Sequence, residues 1–245
     1  MRYTITCCFC CLFLVLGCDE ELAEPLTTAD GAVFYPLELN RPLFYAVDSI
    51  VLFNEVSGVR YDTARLEARE TLVETFLDAE GREWYRGERW ERSGEDAPWR
   101  FRQTYAVSAD DAGLLRREDN LTFRKLVFPL RQGLRWDGNT DFDEDRNFVV
   151  GGEFMMVYKF WEYEVTALAP GETVTIRQAE EDNLIDYRDA YEVYRAGTGL
   201  TERFIDARST QCVVCCDRDT GSCRDLPWDE KAEKGFILHQ RLIPN

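Results

Sequence analysis

The sequence predicts an all-β (or β-rich α+β) body, an antiparallel sheet of about ten strands curled into a half-barrel or barrel, with a disulfide-rich C-terminal loop. Three observations predict it. Apolar residues recur mostly at every second position, the period of half-buried strands. Gly94, Gly113, Gly133, Gly171 and Gly197 fall between the apolar runs, where hairpin turns need a permissive backbone. Strand-like runs do not alternate with long helical ones, so a parallel sheet of βαβ units is not expected. Such a sheet must close, curl or fold over to hide its edges, and periodicity does not choose among barrel, half-barrel and sandwich.

Residues 1–17 read as a signal peptide: one basic residue, Arg2, then a greasy run from Ile5 to Leu16 that ends in the small Gly17. About a dozen apolar residues fall short of the roughly 20 that a helix needs to span a bilayer. Val15-Leu16-Gly17-Cys18 resembles a bacterial lipobox. The resemblance implies that Cys18 receives a diacylglyceryl group, that the signal is cut ahead of it, and that the new amino terminus is acylated. Two or more acyl chains anchor stably where one is marginal. Asp19, Glu20 and Glu21, with Glu24 behind them, belong to a solvated acidic tether over residues 18–31. Their pattern is similar to the acidic export signal of surface lipoproteins in Bacteroidota-type bacteria, which implies an outer-membrane address compatible with exposure at the cell surface.

A β-rich domain is expected over residues 32–245, starting near Val33-Phe34-Tyr35-Pro36-Leu37. Leu43 to Phe53 is dense in β-branched and aromatic residues. Ala64 to Leu77 is ambiguous: Leu66, Val73 and Leu77 have near-helical spacing, whereas Ala64, Leu66, Ala68, Leu72 and Phe76 share a strand face, and the neighbouring hairpin signals favour the strand. Asp78-Ala79-Glu80-Gly81 is a turn leading into Trp84, Arg86, Glu88 and Trp90, which share one face. From Trp99 to Ser108 apolar and polar residues alternate cleanly. Further runs are Leu121 to Phe128, Phe154 to Leu168, Thr173 to Gln178, Leu200 to Ile205 and Phe236 to Ile243. The stretch from Leu184 to Tyr194 fits either period, with Tyr191 to Arg195 read as extended.

Three segments carry a wider resemblance: Tyr35-Pro36-Leu37 with Leu43 to Ser49, Lys125 to Leu130 with Trp136 to Asn139, and Tyr194 to Leu200. Together they look like a group of uncharacterised outer-membrane and surface lipoproteins of Bacteroidota, and the likeness spans most of the mature chain. It implies the address and the β-rich fold, and it brings no activity with it.

Removing residues 1–17 leaves 228 (245 − 17), ample for a packed core given 45% hydrophobic and 13% aromatic residues. The net charge of −17 becomes −18 when Arg2 leaves. That sign repels phosphate backbones, so nucleic acid is not expected as a partner. Cys7, Cys8, Cys10 and Cys11 leave with the signal and Cys18 is spent on lipid. Cys212, Cys215, Cys216 and Cys223 remain, and in an exported chain they read as a disulfide knot. Adjacent residues bond to each other only through a strained ring, so the expected pairings are 212–215 with 216–223, or 212–216 with 215–223. A tetrahedral zinc site is one rival reading, but the spacing lacks two separated knuckles. A redox-active pair is the other, and it would need a depressed thiol pKa that the acids Asp217, Asp219 and Asp225 oppose.

Asn139, Asp141, Asp143 and Asp145 offer oxygen ligands at alternate positions, as calcium loops do, but the turn glycine and the twelfth-position Glu are missing, so a solvated loop is favoured. His239 is the sole histidine and has no nucleophile elbow beside it, so a half-buried strand position is expected. Catalytic residues and a cofactor are not expected. The chain reads as a non-enzymatic, lipid-anchored envelope protein that works as an interaction or structural component. Trp84, Trp90, Trp99, Trp136, Trp161 and Trp228 read as core and barrel-lining residues. The alternative is a half-barrel carrier of an apolar ligand, or a glycan-binding module, that uses a fraction of them.

Overall fold

The computed structural model describes residues 31–244. β1 (Leu43–Glu55) and β2 (Gly58–Leu77) form the longest hairpin, paired from Leu43↔Glu70 to Glu55↔Gly58. β3 (Glu83–Arg92), β4 (Arg100–Asp110), β5 (Gly113–Glu118) and β6 (Leu121–Val127) continue the meander outward. The chain then crosses to the far edge through the short β7 (Arg135–Trp136) and a separate hairpin of β8 (Phe148–Val150) with β9 (Glu153–Met155). β10 (Trp161–Ala169), β11 (Thr173–Asp182), β12 (Asp186–Arg195), β13 (Gly199–Ser209) and β14 (Lys234–Leu242) meander back. Two short helices, α1 (Thr220–Arg224) and α2 (Trp228–Lys231), lie in the β13–β14 connection.

Twelve of these strands make one sheet, in the order β6-β5-β4-β3-β2-β1-β14-β13-β12-β11-β10-β7, antiparallel throughout. Its two edges almost meet: Arg124 N on β6 donates to Gly138 O at 2.8 Å, and Trp136 Nε1 on β7 donates to Arg124 O at 2.8 Å. The sheet is thus nearly closed into a barrel, which satisfies edge groups that an open sheet would expose. One end is filled by the segment from Gly31 to Pro42. Phe34 there is fully buried, Val33 O accepts from Gly197 N at 2.9 Å, and a Cβ added to Gly31 would overlap the Phe128 ring.

The ambiguous stretch 64–77 is strand, and a bulge explains the ambiguity. The register slips between Leu72 and Glu74, so Ala68 and Leu72 point inward while Phe76, past the bulge, is 41% exposed. Residues 186–195 are likewise strand. The run expected from Phe154 to Leu168 is instead broken: β9 ends at Met155, the chain turns, and β10 begins after Phe160, a non-glycine residue at φ 69°. β5 escapes the period because Leu114 and Leu115 are adjacent rather than alternating.

The cysteine knot differs from both expected pairings. Cys212 is bonded to Cys223, with Cα atoms 5.7 Å apart, and Cys215 is bonded to its neighbour Cys216. The reason lies in the loop. Both Glu233 carboxylate oxygens accept backbone N–H groups, Oε2 from Gln211 and Oε1 from Val213 and Val214, at 2.6–2.8 Å. That clamp turns Cys212 inward to the buried Cys223 of α1 and leaves the next two cysteines together.

Candidate functional site

The barrel lumen carries an ionic network. Glu70 on β2 meets Arg89 at 2.8 Å and Arg116 at 3.2 Å, and Arg116 reaches Glu118 at 2.8 Å. Arg203 on β13 joins Glu118 at 3.7 Å and Glu192 at 2.7 Å, and Glu192 also takes Lys125 at 3.0 Å and the Tyr194 hydroxyl at 2.5 Å. β6 and β12 are far apart in the sheet order, so the Lys125–Glu192 pair spans the lumen. Burial pushes the carboxyls of Glu70 and Glu192 up, but the facing cations win. Arg116, Arg89 and Arg203 hold Glu70 at about 2, and Lys125 and Arg203 hold Glu192 at about 2. Burial holds the Lys125 ammonium below its usual range, and Glu192 opposes that.

This network bears directly on the carrier reading. An apolar ligand needs roughly 300–1,000 Å³ of concave, mostly apolar space. The opening that reaches Tyr35, Glu70 and Tyr105 holds about 30 Å³, close to the room one water occupies. Charged side chains and tyrosines surround that opening.

The outer face of β1–β4 is different. Phe44, Arg69, Trp90 and Phe101 are direct cross-strand neighbours in one row. Trp90 meets Phe101 edge-on at 5.5 Å, and Trp99 lies 6.1 Å from Phe44. The Arg69 guanidinium lies 5.6 Å from the Trp90 ring centre and 5.2 Å from that of Trp99, and among the described residues no carboxylate comes within 4 Å of it. Arg117 covers the buried Trp84 in the same manner, at 4.1 Å. Beside this row, β4 is paired with β3 from Arg100 to Val107 but with β5 only from Ala106 to Asp110, because the β5–β6 hairpin is short. From Phe101 to Tyr105 one edge of β4 has no strand against it among the described residues, and a groove of about 610 Å³ runs there, walled by Phe76, Arg86, Phe101 and Arg117 over Thr104 and Ala106.

The residues singled out in the sequence do not converge on a reaction centre. Cys18, Asp19, Glu20 and Glu21 lie outside the described residues. In the acidic loop, Asn139 is buried beside Tyr163, whose hydroxyl is 3.4 Å from its Oδ1, while the Asp143 carboxylate accepts from Asp145 N at 3.0 Å. These are turn contacts, and the loop's acids do not gather around a common point. His239 sits half-buried on β14, its Nε2 2.7 Å from Glu202 and its ring edge-on to Phe204. Trp84 and Trp161 are buried, each with its indole N–H bonded, to Asp78 and Val157 O respectively.

The lumen network went unread, although the alternation carries its signal. Leu66, Ala68, Glu70 and Leu72 share one face, as do Leu121, Phe123 and Lys125, and Ala190, Glu192 and Tyr194. A charge repeated on the apolar face of several strands marks partners meeting across a core. No family model, curated protein or solved structure compared with the chain matches it.

Proposed function

We propose that this chain is a lipid-anchored envelope protein, held to the outer membrane through Cys18, that works as an interaction component rather than as a carrier or an enzyme. The observation that carries this reading is the edge of β4 from Phe101 to Tyr105, unpaired among the described residues, set between exposed Phe76 and Phe101 and flanked by the Phe44–Arg69–Trp90–Phe101 row. A free edge offers backbone N–H and C=O groups to an extended segment of another protein, and flanking aromatic and arginine side chains supply the anchors on which affinity concentrates. The filled lumen speaks against an apolar cargo.

The test is a photo-crosslinking residue at Thr104, in the groove floor, in cells that make the full chain. A discrete protein adduct that vanishes in Phe101→Asp is expected, and its absence at every growth stage would refute the reading. Mass spectrometry of the same protein is expected to find an acylated Cys18 at the mature amino terminus, with release from membranes in Cys18→Ser.

A second reading has one observation in its favour. Indole faces alternating with a guanidinium suit stacking on sugar rings and pairing with their carboxylates, which makes an acidic glycan the alternative occupant. Retention of the purified protein on immobilised uronic-acid polymers, lost in Trp90→Ala, would favour it over a protein partner.

A further inference from the structure

The four late cysteines hold chemistry that neither the anchor nor the outer face uses. Cys212 and Cys223 are buried, at 1% and 0% exposure, whereas Cys215 and Cys216 are part-exposed. The sulfurs of Cys215, Cys216 and Cys223 all lie within 4.8 Å of one another. A disulfide closed off from solvent therefore has a second, more accessible disulfide against one of its sulfurs. Near-attack separations for displacement are about 3–3.5 Å, so a small side-chain movement brings the sulfurs into range. The Glu233 clamp keeps the loop that carries Cys212, Cys215 and Cys216 in register with α1 during such a movement.

We propose that this cluster is a thiol–disulfide exchange site, with Cys215–Cys216 as its accessible end, Cys212–Cys223 as its buried end, and a dithiol as its substrate. In the first step a thiolate of the dithiol attacks Cys215 or Cys216, forming a mixed disulfide and releasing the neighbouring thiolate. The dithiol's second thiolate displaces it, so the dithiol leaves oxidised to its disulfide and the vicinal pair is left reduced by two electrons. In the second step the thiolate of Cys215 or Cys216 attacks Cys223 Sγ and displaces Cys212 as thiolate, which takes up the proton the attacker gave. The second step needs no oxidant or reductant: one disulfide is exchanged for another, and the free thiol moves to Cys212.

The test uses the chain as it is secreted, with one molar equivalent of dithiothreitol at pH 8, acid quenching and alkylation, followed by peptide mapping with fragmentation. Label is expected on Cys212 and on one of Cys215 and Cys216, with Cys223 linked to the other. Label confined to Cys215 and Cys216, with Cys212–Cys223 intact, overturns the proposal, as does no reduction at all. Single variants test the second step with no added reductant. In at least one of Cys215→Ser and Cys216→Ser the free thiol is expected to migrate, so that acid quenching followed by alkylation of the denatured protein labels Cys212. Label that stays on the remaining vicinal cysteine in both variants rules the exchange out.

Discussion

Inside the barrel and outside it, the same residue types meet under different conditions. In the lumen, Arg89, Arg116 and Arg203 each contact a carboxylate, and Arg116 also lies over the Tyr105 ring at 4.0 Å. On the outer face, Arg69 and Arg117 lie over indole rings without a carboxylate within 4 Å among the described residues. The difference is one of solvation. A guanidinium out of water without a counter-charge is prohibitively costly, so the closed side of the sheet demands pairing. Water solvates the guanidinium on the open side, so pairing is optional there and the group stays available to a partner. The lumen charges are therefore tied up in the fold, whereas the outer face is where the proposed interaction would take place.

The largest expected effect comes from breaking the inner half of that comparison. Glu192→Leu leaves Lys125 and Arg203 without their shared carboxylate and is expected to cost about 3–5 kcal/mol in a denaturant titration. Combining it with Lys125→Met and Arg203→Met is expected to recover most of the loss, since an apolar core of similar volume often replaces a buried network at little cost. A Glu192→Leu protein as stable as the wild type would mean that the lumen is wet.

Acid should undo the same network. Glu70 and Glu192 titrate at about 2 in the folded chain, against an ordinary value of 4.5. Carboxyls lowered in this way contribute stability that is full above the unfolded value and is lost as pH falls towards the folded one. The melting temperature is expected to decline from about pH 5 down to about pH 2, with a smaller decline in the apolar triple variant. Parallel profiles for the two proteins would place the acid sensitivity elsewhere.

Packing inside the lumen gives the next effect in size. A Cβ on Gly87 would overlap the Tyr105 ring, so Gly87→Ala is expected to cost about 1–3 kcal/mol by thermal melting. The smallest stability change is expected outside. Arg69→Gln forfeits contacts with two indoles worth about 0.5–1 kcal/mol at an exposed site. Its effect on partner capture should be larger, about 30-fold if Arg69 is an anchor, measured as loss of the Thr104 crosslink. A large loss of stability with capture unchanged would reverse the roles given to the two faces.

Much of the strand content was legible because alternation is local. Trp99 to Ser108 reads as a strand from its own residues, and the structure places β4 there. The bulge at Val73 was not legible, since it depends on the partner β3, and it alone sends Phe76 to the surface. The disulfide partners were missed for a similar reason. Glu233, about twenty residues away in sequence, sets the course of the loop, and a rule about neighbouring cysteines carries no knowledge of it.

The sequence by itself determined that the body is an antiparallel β structure, that Cys18 sits in a lipobox-like setting, and that the late cysteines cluster. Each of these lives in residues close along the chain. Only the tertiary structure decided that the sheet nearly closes, that Glu70, Lys125 and Glu192 belong to a charged lumen network rather than being isolated surface acids and bases, and that one edge of β4 has no strand against it among the described residues. Those outcomes depend on which residues, tens to more than a hundred positions apart, share a space closed off from bulk solvent, and desolvation acts on that space irrespective of sequence distance.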